Sequence, residues 1–141
     1  MRLDLIKDEV NVFIYGTLLP GQSNHSVISN FILSSEEGFI AARLVDVGAY
    51  PAAVRDHRSL TAASIVKGIW LTINRKALLA LDELEGFIGI EEDNDYERAW
   101  VKDNFNPTLE GWSYVWSDDR GFSAIVENNW LDYLAKRDQA R

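Results

Sequence analysis

Cysteine is missing from this sequence of 141 residues, and only two histidines are present, His25 and His57. The absence of cysteine excludes disulfide bonds, thiolate nucleophiles and zinc–thiolate centres. Neither histidine has an acidic or histidine partner at the spacing of metal ligands, so no metal site is expected. Glycine-rich phosphate loops and the nucleophile elbow of serine hydrolases are missing too. Carboxylates, hydroxyls and backbone amides are therefore the groups left for chemistry.

Positive charge is also scarce. The chain has 14 lysines and arginines against 22 aspartates and glutamates, which gives a net charge of −8 at pH 7. Such an acidic protein is a poor partner for nucleic acid or for an anionic membrane. No apolar run approaches the length of a membrane span, and the first ten residues lack the apolar core of a signal peptide. We therefore expect a cytoplasmic protein.

The length of the chain predicts a single domain over residues 1–141, large enough to bury one hydrophobic core. The sequence leaves the oligomeric state open between a monomer and a weak dimer. The acidic segment 91–95 lacks the ligand order of a calcium loop, so we interpret it as a solvated loop.

Hydrophobic patterning predicts five or six strands with helices inserted between groups of them. Strands are expected at 12–15, 39–47, 64–73, 96–102 and 112–117, with a short strand around Ala53. Helices are expected from Ser26 after a cap at Ser23 or Asn24, over 75–85 between Asn74 and Gly86, and over 125–137. Because this order is not a regular βαβα alternation, it favours an α+β fold built as a mixed sheet or small barrel.

Glu85 is the most informative carboxylate because of its position on the helix predicted over 75–85. At about 100° per residue, the buried side of this helix comprises Leu78, Leu81 and Leu84. Glu85 projects between Leu78 and Leu81, whereas Glu83 points to the opposite, solvent-facing side. A carboxylate on a buried stripe is costly unless it is paired or used.

Two interpretations of Glu85 remain open from the residues alone. In the first, its side chain reaches solvent at the helix end or forms an ion pair with Arg98. In the second, Glu85 is a partly desolvated general base whose pKa is raised toward the working pH.

The stretch Tyr15-Gly16-Thr17-Leu18 follows the first predicted strand and also has two interpretations. Gly16 can serve only to permit the bend at the end of the strand. Alternatively, successive backbone N–H groups turn inward and form an anion-binding nest, which can hold a carboxylate and polarise a carbonyl group.

Six segments along the chain resemble the γ-glutamylcyclotransferase-like family, also called AIG2-like. They are, in order, VFIYGTLLPGQSNH, GAYPAAV, VKGIWLTI, LDELEGF, DYERAWV and WSYVW, followed by a terminal IVENNWLDYL. The resemblance spans roughly residues 11–135. Tyr-Gly-Thr-Leu alone is weak, but its combination with Leu-Asp-x-Leu-Glu-Gly and Tyr-x-Arg at these separations is specific.

This resemblance implies a small mixed β-barrel of five or six strands with surrounding helices and a cavity at one side. The family's catalytic glutamate falls on Glu85, and its substrate-binding loop matches Tyr15, Gly16, Thr17 and Leu18. The implied reaction converts a γ-glutamyl amine or γ-glutamyl amino acid into 5-oxoproline and a free amine. Glu85 would act as general acid and base, and the reaction requires neither a metal nor another cofactor.

The same resemblance bears on other positions. Tyr96 is expected to hydrogen-bond Glu85 or the substrate, with core packing as its alternative. Arg98 is expected to steady a carboxylate, with a structural salt bridge as its alternative. Leu19 stands where many relatives carry arginine, and ENNW replaces a more usual Gly-Asp-Trp, which bears on packing of the C-terminal segment.

Two alternatives to the enzyme are also consistent with the sequence. One is a non-catalytic module that binds a small molecule in the same cavity. The other is a partner-binding protein that exposes Trp112, Tyr114 and Trp116 on one strand face, with core packing as the alternative for these rings. Specificity for the released amine is expected in the loops at 50–62 and 86–95.

Overall fold

The computed structural model describes residues 9–61, 64–86 and 95–139, and these residues form eight strands and three α-helices. The strands are β1 (Glu9–Ile14), β2 (Ile32–Ala41), β3 (Arg43–Asp46), β4 (Pro51–Val54), β5 (Ile65–Asn74), β6 (Glu97–Lys102), β7 (Glu110–Val115) and β8 (Ser123–Ala124). The helices are α1 (His57–Thr61), α2 (Arg75–Glu85) and α3 (Trp130–Gln139). In this part of the chain, no helix is both long and apolar enough to cross a membrane.

The strand count exceeds the predicted five or six because several strands are short. β3 and β4 have four residues each and β8 has two, which is too few for a clear alternation of hydrophobic residues. The short strand expected around Ala53 is confirmed as β4. The acidic loop predicted before Tyr96 lies outside the described residues, except for Asp95.

The strands are arranged in two sheets. The larger sheet has the order β2-β5-β1-β7-β6, in which β1 is antiparallel to β5 and parallel to β7, and the smaller has the order β4-β3-β8. An isolated bridge between Val54 and Trp116 joins them, with the Trp116 amide donating to Ala53 O at 2.9 Å. The sheets do not close into one continuous barrel, but the predicted mixed, barrel-like α+β fold is confirmed. Because β1 and β7 are parallel, their carboxyl ends lie at the same edge.

β1 is covered on both of its faces. Val12 and Ile14 belong to one hydrophobic cluster with Leu81 of α2, whereas Phe13 belongs to a second cluster with Trp130 of α3. Adjacent residues of a strand point to opposite faces, so each cluster packs on its own side of the sheet. The core therefore fixes the position of the chain where it leaves β1.

The three alternating aromatic residues of β7 and its continuation favour core packing. Tyr114 and Trp116 are buried in the first cluster, and Trp112 packs against it. The ENNW segment likewise supports the C-terminal helix, because the Asn129 side chain accepts a hydrogen bond from the Asp132 amide and Trp130 is fully buried.

The helix predicted from Ser26 is wrong. This segment contains two single 3₁₀ turns, His25–Val27 and Ser29–Phe31, before the backbone becomes extended at Ile32. Asn24 does not cap a helix, because its side chain donates instead to Thr17 Oγ1 at 3.0 Å. The three- and four-residue apolar spacing of this segment fits 3₁₀ turns as well as an α-helix.

The limits predicted for α2 are confirmed at both ends. The Asn74 side chain accepts a hydrogen bond from the Lys76 amide at 2.7 Å, and Gly86 ends the helix in the left-handed region at a φ of 70°. Its buried residues are Ala77, Leu78 and Leu81. The prediction that Leu84 is buried is wrong, because this side chain lies at the edge of the stripe and is 39% exposed.

Candidate active site

A cavity of about 200 Å³ opens at the sheet edge where β1 ends. The end of α2, the loop after β1 and the segment before β6 all contribute to its wall. The six residues predicted for the site line this one cavity: Tyr15, Gly16, Thr17, Leu18, Glu85 and Tyr96. Asn24, Tyr50, Leu84 and Asp95 are among the residues that complete the wall.

Glu85 is partly buried and carries an unusual pKa. Burial raises the pKa of its carboxyl from about 4.5 to about 7, because the charged form loses hydration that no neighbouring cation replaces. Within the described ranges, no ion pair or side-chain hydrogen bond involves the Glu85 carboxyl. Arg98 forms an ion pair with Asp82 at 2.6 Å rather than with Glu85. Such a carboxyl takes up and releases a proton near neutral pH.

The last turns of α2 are fastened to the sheet through Asp82. Its carboxylate accepts a hydrogen bond from Tyr114 Oη at 2.5 Å and forms the ion pair with Arg98, whose guanidinium lies 4.6 Å from the centre of the Trp112 ring. The Tyr96 amide also donates to Glu85 O at 3.1 Å. These contacts hold the end of α2, and with it Glu85, against β6 and β7.

The loop after β1 presents amides whose hydrogen-bonding capacity is unused. Gly16 O accepts from the Leu19 amide at 3.0 Å, and Thr17 O accepts from the Asn24 amide at 2.8 Å. In a trans peptide the N–H points opposite to the preceding carbonyl, so the amides of Thr17 and Leu18 point away from these bonds. Among the described residues, none accepts a hydrogen bond from the amides of residues 16–18.

The loop is held in this shape by two residues that the sequence did not single out for the site. Asn24 donates through Nδ2 to Thr17 Oγ1 at 3.0 Å, and His25 donates through Nδ1 to Leu18 O at 2.8 Å. The sequence suggested only a capping role for Asn24. Leu19, which stands where many relatives carry arginine, is buried in the core and does not line the cavity, so its side chain contributes no group to this wall.

The tyrosine hydroxyls near Glu85 direct their protons elsewhere. Tyr15 Oη donates to Tyr114 O at 2.6 Å and accepts from the Ala53 amide at 3.1 Å, and Tyr96 Oη donates to Pro51 O at 2.7 Å. Burial raises the pKa of Tyr15 and of Tyr96 far above neutral pH, so both phenols stay uncharged. Because each hydroxyl donates its proton to a backbone carbonyl, each oxygen can bind a further group only as a hydrogen-bond acceptor.

The cavity is lined by a carboxyl whose pKa is raised to about 7 and by three residues, 16–18, whose amides have no acceptor among the described residues. A proton acceptor and fixed N–H donors are the two kinds of group needed for proton transfer and for binding an anion or an oxyanion. Within residues 9–61, 64–86 and 95–139, no three histidine, aspartate or glutamate side chains are grouped so that they could hold a metal ion.

Comparison with known proteins gives a consistent result at the level of sequence. The profile of the family "Gamma-glutamyl cyclotransferase, AIG2-like" matches residues 12–132. A relative from Niallia circulans, Gamma-L-glutamyl-butirosin B gamma-glutamyl cyclotransferase, is 33% identical over 112 residues, which cover 77% of this chain and 68% of that protein.

Solved structures agree on the fold. YkqA from Bacillus subtilis matches with a TM-score of 0.71 and 16% identity over 93% of this chain, but the match covers only 43% of YkqA. An AIG2-like protein from Mus musculus matches with a TM-score of 0.65 and 18% identity, over 86% of this chain and 88% of that one. From the profile match and the sequence relative together, the chain belongs to the AIG2-like gamma-glutamyl cyclotransferase family.

Proposed function

We propose that this protein is a γ-glutamyl cyclotransferase that converts a γ-glutamyl amine or γ-glutamyl amino acid into 5-oxoproline and a free amine. The observation that carries the proposal is the position of Glu85, which lines the same cavity as residues 16–18. Family membership and the activity in the name of the Niallia circulans relative support the same reaction class.

In this proposal the substrate's own α-amine attacks its γ-carbonyl carbon. Glu85 takes one proton from the attacking α-amine as a new C–N bond closes the five-membered ring. An amine that arrives as the α-ammonium also loses one proton to solvent. The amides of residues 16–18 bind the α-carboxylate and the developing oxyanion. The original amide C–N bond then breaks, and protonated Glu85 returns its proton to the leaving amine.

The properties of Glu85 suit both halves of this cycle. A general acid and base is most effective when its pKa lies near the working pH, and burial raises the pKa of Glu85 to about 7. Because the attack is intramolecular, much of the rate gain would come from fixing the folded conformer of the substrate. The contacts of Asp82 and of the Glu85 carbonyl, described above, hold the Glu85 side chain in place for this conformer.

The first test is product formation. Purified protein incubated with a panel of γ-glutamyl amines and γ-glutamyl amino acids should release 5-oxoproline, measured by mass spectrometry. No product from any member of a broad panel would contradict the enzyme. If a panel member then still raised the melting temperature, the cavity would be that of a binding module without chemistry.

Tyr96→Phe is expected to raise KM while changing kcat less than about threefold. In the proposal, the Tyr96 oxygen contacts the substrate as an acceptor, because its proton is donated to Pro51 O. Loss of the Tyr96–Pro51 hydrogen bond should also lower the free energy of unfolding by about 1 kcal/mol. Steady-state kinetics and urea denaturation check both effects, and a large loss of kcat with unchanged KM would contradict a binding role.

A further inference from the structure

The charged side chains that line the cavity all have the same sign. Among the described residues they are Glu85 and Asp95, and no lysine, arginine or histidine lines the wall. Away from the backbone amides of residues 16–18, such a wall favours a cationic group over an anionic one.

Two arginines that contact residues around the cavity are engaged in other interactions. Arg98 pairs with Asp82, as described above. The Arg120 guanidinium lies 4.0 Å from the centre of the Trp116 ring and donates to the Asp95 backbone carbonyl at 3.0 Å. Neither guanidinium lines the cavity, so neither is placed to receive an anionic group there.

Asp95 is fixed next to the end of α2 by its backbone. Its amide donates to Gly86 O at 3.0 Å, and the Tyr96 amide donates to Glu85 O, so the segment before β6 runs beside the end of α2. A Cβ atom on Gly86 would lie 2.5 Å from Asp95 Oδ2, which means that only glycine allows the carboxylate to pack here. The carboxylate itself is exposed, and no ion pair with another described residue involves it.

Aromatic rings line the same cavity as Asp95. Tyr50 is 40% exposed, and its ring centre lies 6.4 Å from that of the buried Tyr96. The face of an exposed tyrosine ring attracts an ammonium group at short range, so the ring favours a cation as a carboxylate does. Glu85 is assigned to the α-amine of the substrate, so Asp95 and Tyr50 are left for the other end of the scissile amide.

We propose that this site selects γ-glutamyl amides whose released amine carries a second positive charge, as in a diamine or larger polyamine, and that Asp95 determines this selection. The inference rests on the proposed cyclotransferase function. Cleavage of the amide releases an amine whose distant ammonium group lies near Asp95. A γ-glutamyl amino acid instead brings a carboxylate beside the scissile nitrogen, where the wall offers it no cation.

The test compares three γ-glutamyl amides that differ only at the far end of a five-carbon chain. The released amines are 1,5-diaminopentane, pentylamine and 5-aminopentanoate, whose far ends are positive, neutral and negative. At low salt, kcat/KM should fall in that order by about threefold or more at each step, as expected for a partly exposed charge. Added salt should compress the series. Equal values, or preference for the carboxylate, would overturn the inference.

Asp95→Asn assigns the effect to one residue. In this variant the three values should converge. Glu36→Gln, at an exposed position on β2 away from the cavity, changes the net charge by the same amount and should preserve the original order. An unchanged order in Asp95→Asn would overturn the role of Asp95.

The outcomes separate this inference from the function on which it rests. If all three amides are cyclised at similar rates, charge selection fails and the cyclotransferase stands. If none of the three and no member of the broader panel yields 5-oxoproline, both fail together. The comparison of the three amides on the unmodified protein does not depend on any variant folding.

Discussion

Glu85→Gln is expected to lower kcat for 5-oxoproline release by about 10²–10⁴-fold while leaving substrate binding largely intact. Glutamine keeps the shape and size of the side chain but cannot take up a proton from the α-amine. The loss should therefore appear in kcat rather than in KM, because the removed function acts only as the transition state forms. Steady-state kinetics on the best γ-glutamyl amide measure both constants.

Glu83→Gln is the matched control, because Glu83 is an exposed carboxylate two positions away on the same helix. It should retain full activity. In the unmodified protein, kcat/KM should rise with pH and level off above about 7, as Glu85 ionises. Retention of more than about a tenth of the original kcat by Glu85→Gln would contradict the role of Glu85 as the base.

Glu85→Gln is also expected to stabilise the protein at pH 8, by roughly 1–3 kcal/mol. The pKa of Glu85 rises from about 4.5 to about 7 on folding, so between these values the folded state holds a proton that the unfolded state has released. The stability of the unmodified protein must therefore fall as pH rises through this window. Glutamine stays neutral, so the variant avoids that loss and should match the unmodified protein near pH 4.

Urea denaturation followed by tryptophan fluorescence measures this effect across the pH range. Glu83→Gln should show no comparable gain, because its carboxylate is exposed. A structural ion pair at Glu85 predicts the opposite sign, with glutamine less stable at pH 8. A gain in stability together with a loss of kcat is the combination expected of a carboxyl retained for its chemistry.

The inward position of Glu85 could be predicted from the sequence because the information is local. The limits of α2 depend on Asn74 and Gly86, and the face of each side chain follows from the helical period. The structure agrees on both limits and on the burial of Leu78 and Leu81. Leu84 was misplaced because periodicity gives the direction of a side chain but not the width of the surface that covers it.

The rest of the cavity depends on contacts between distant segments, which a single sequence does not report. Asp95 comes to the wall because residues 95 and 96 hydrogen-bond to the end of α2, and Tyr50 comes to it through the turn before β4. The wrong prediction of a helix from Ser26 has the same cause, because the Asn24 side chain hydrogen-bonds to Thr17 instead of capping a helix. This contact holds the loop after β1 and outweighs the local helical propensity of the segment.

In the proposed reaction, Glu85 and the amides of residues 16–18 act on the same γ-glutamyl group. A crystal structure of Glu85→Gln with a bound γ-glutamyl pentylamide shows whether both contact it. We expect the α-amine within hydrogen-bonding distance of the side chain at position 85, and the α-carboxylate or γ-carbonyl oxygen on the amides of Gly16, Thr17 and Leu18. A γ-glutamyl group bound outside this cavity, or bound in it with the α-amine pointing away from position 85, would contradict the proposed reaction.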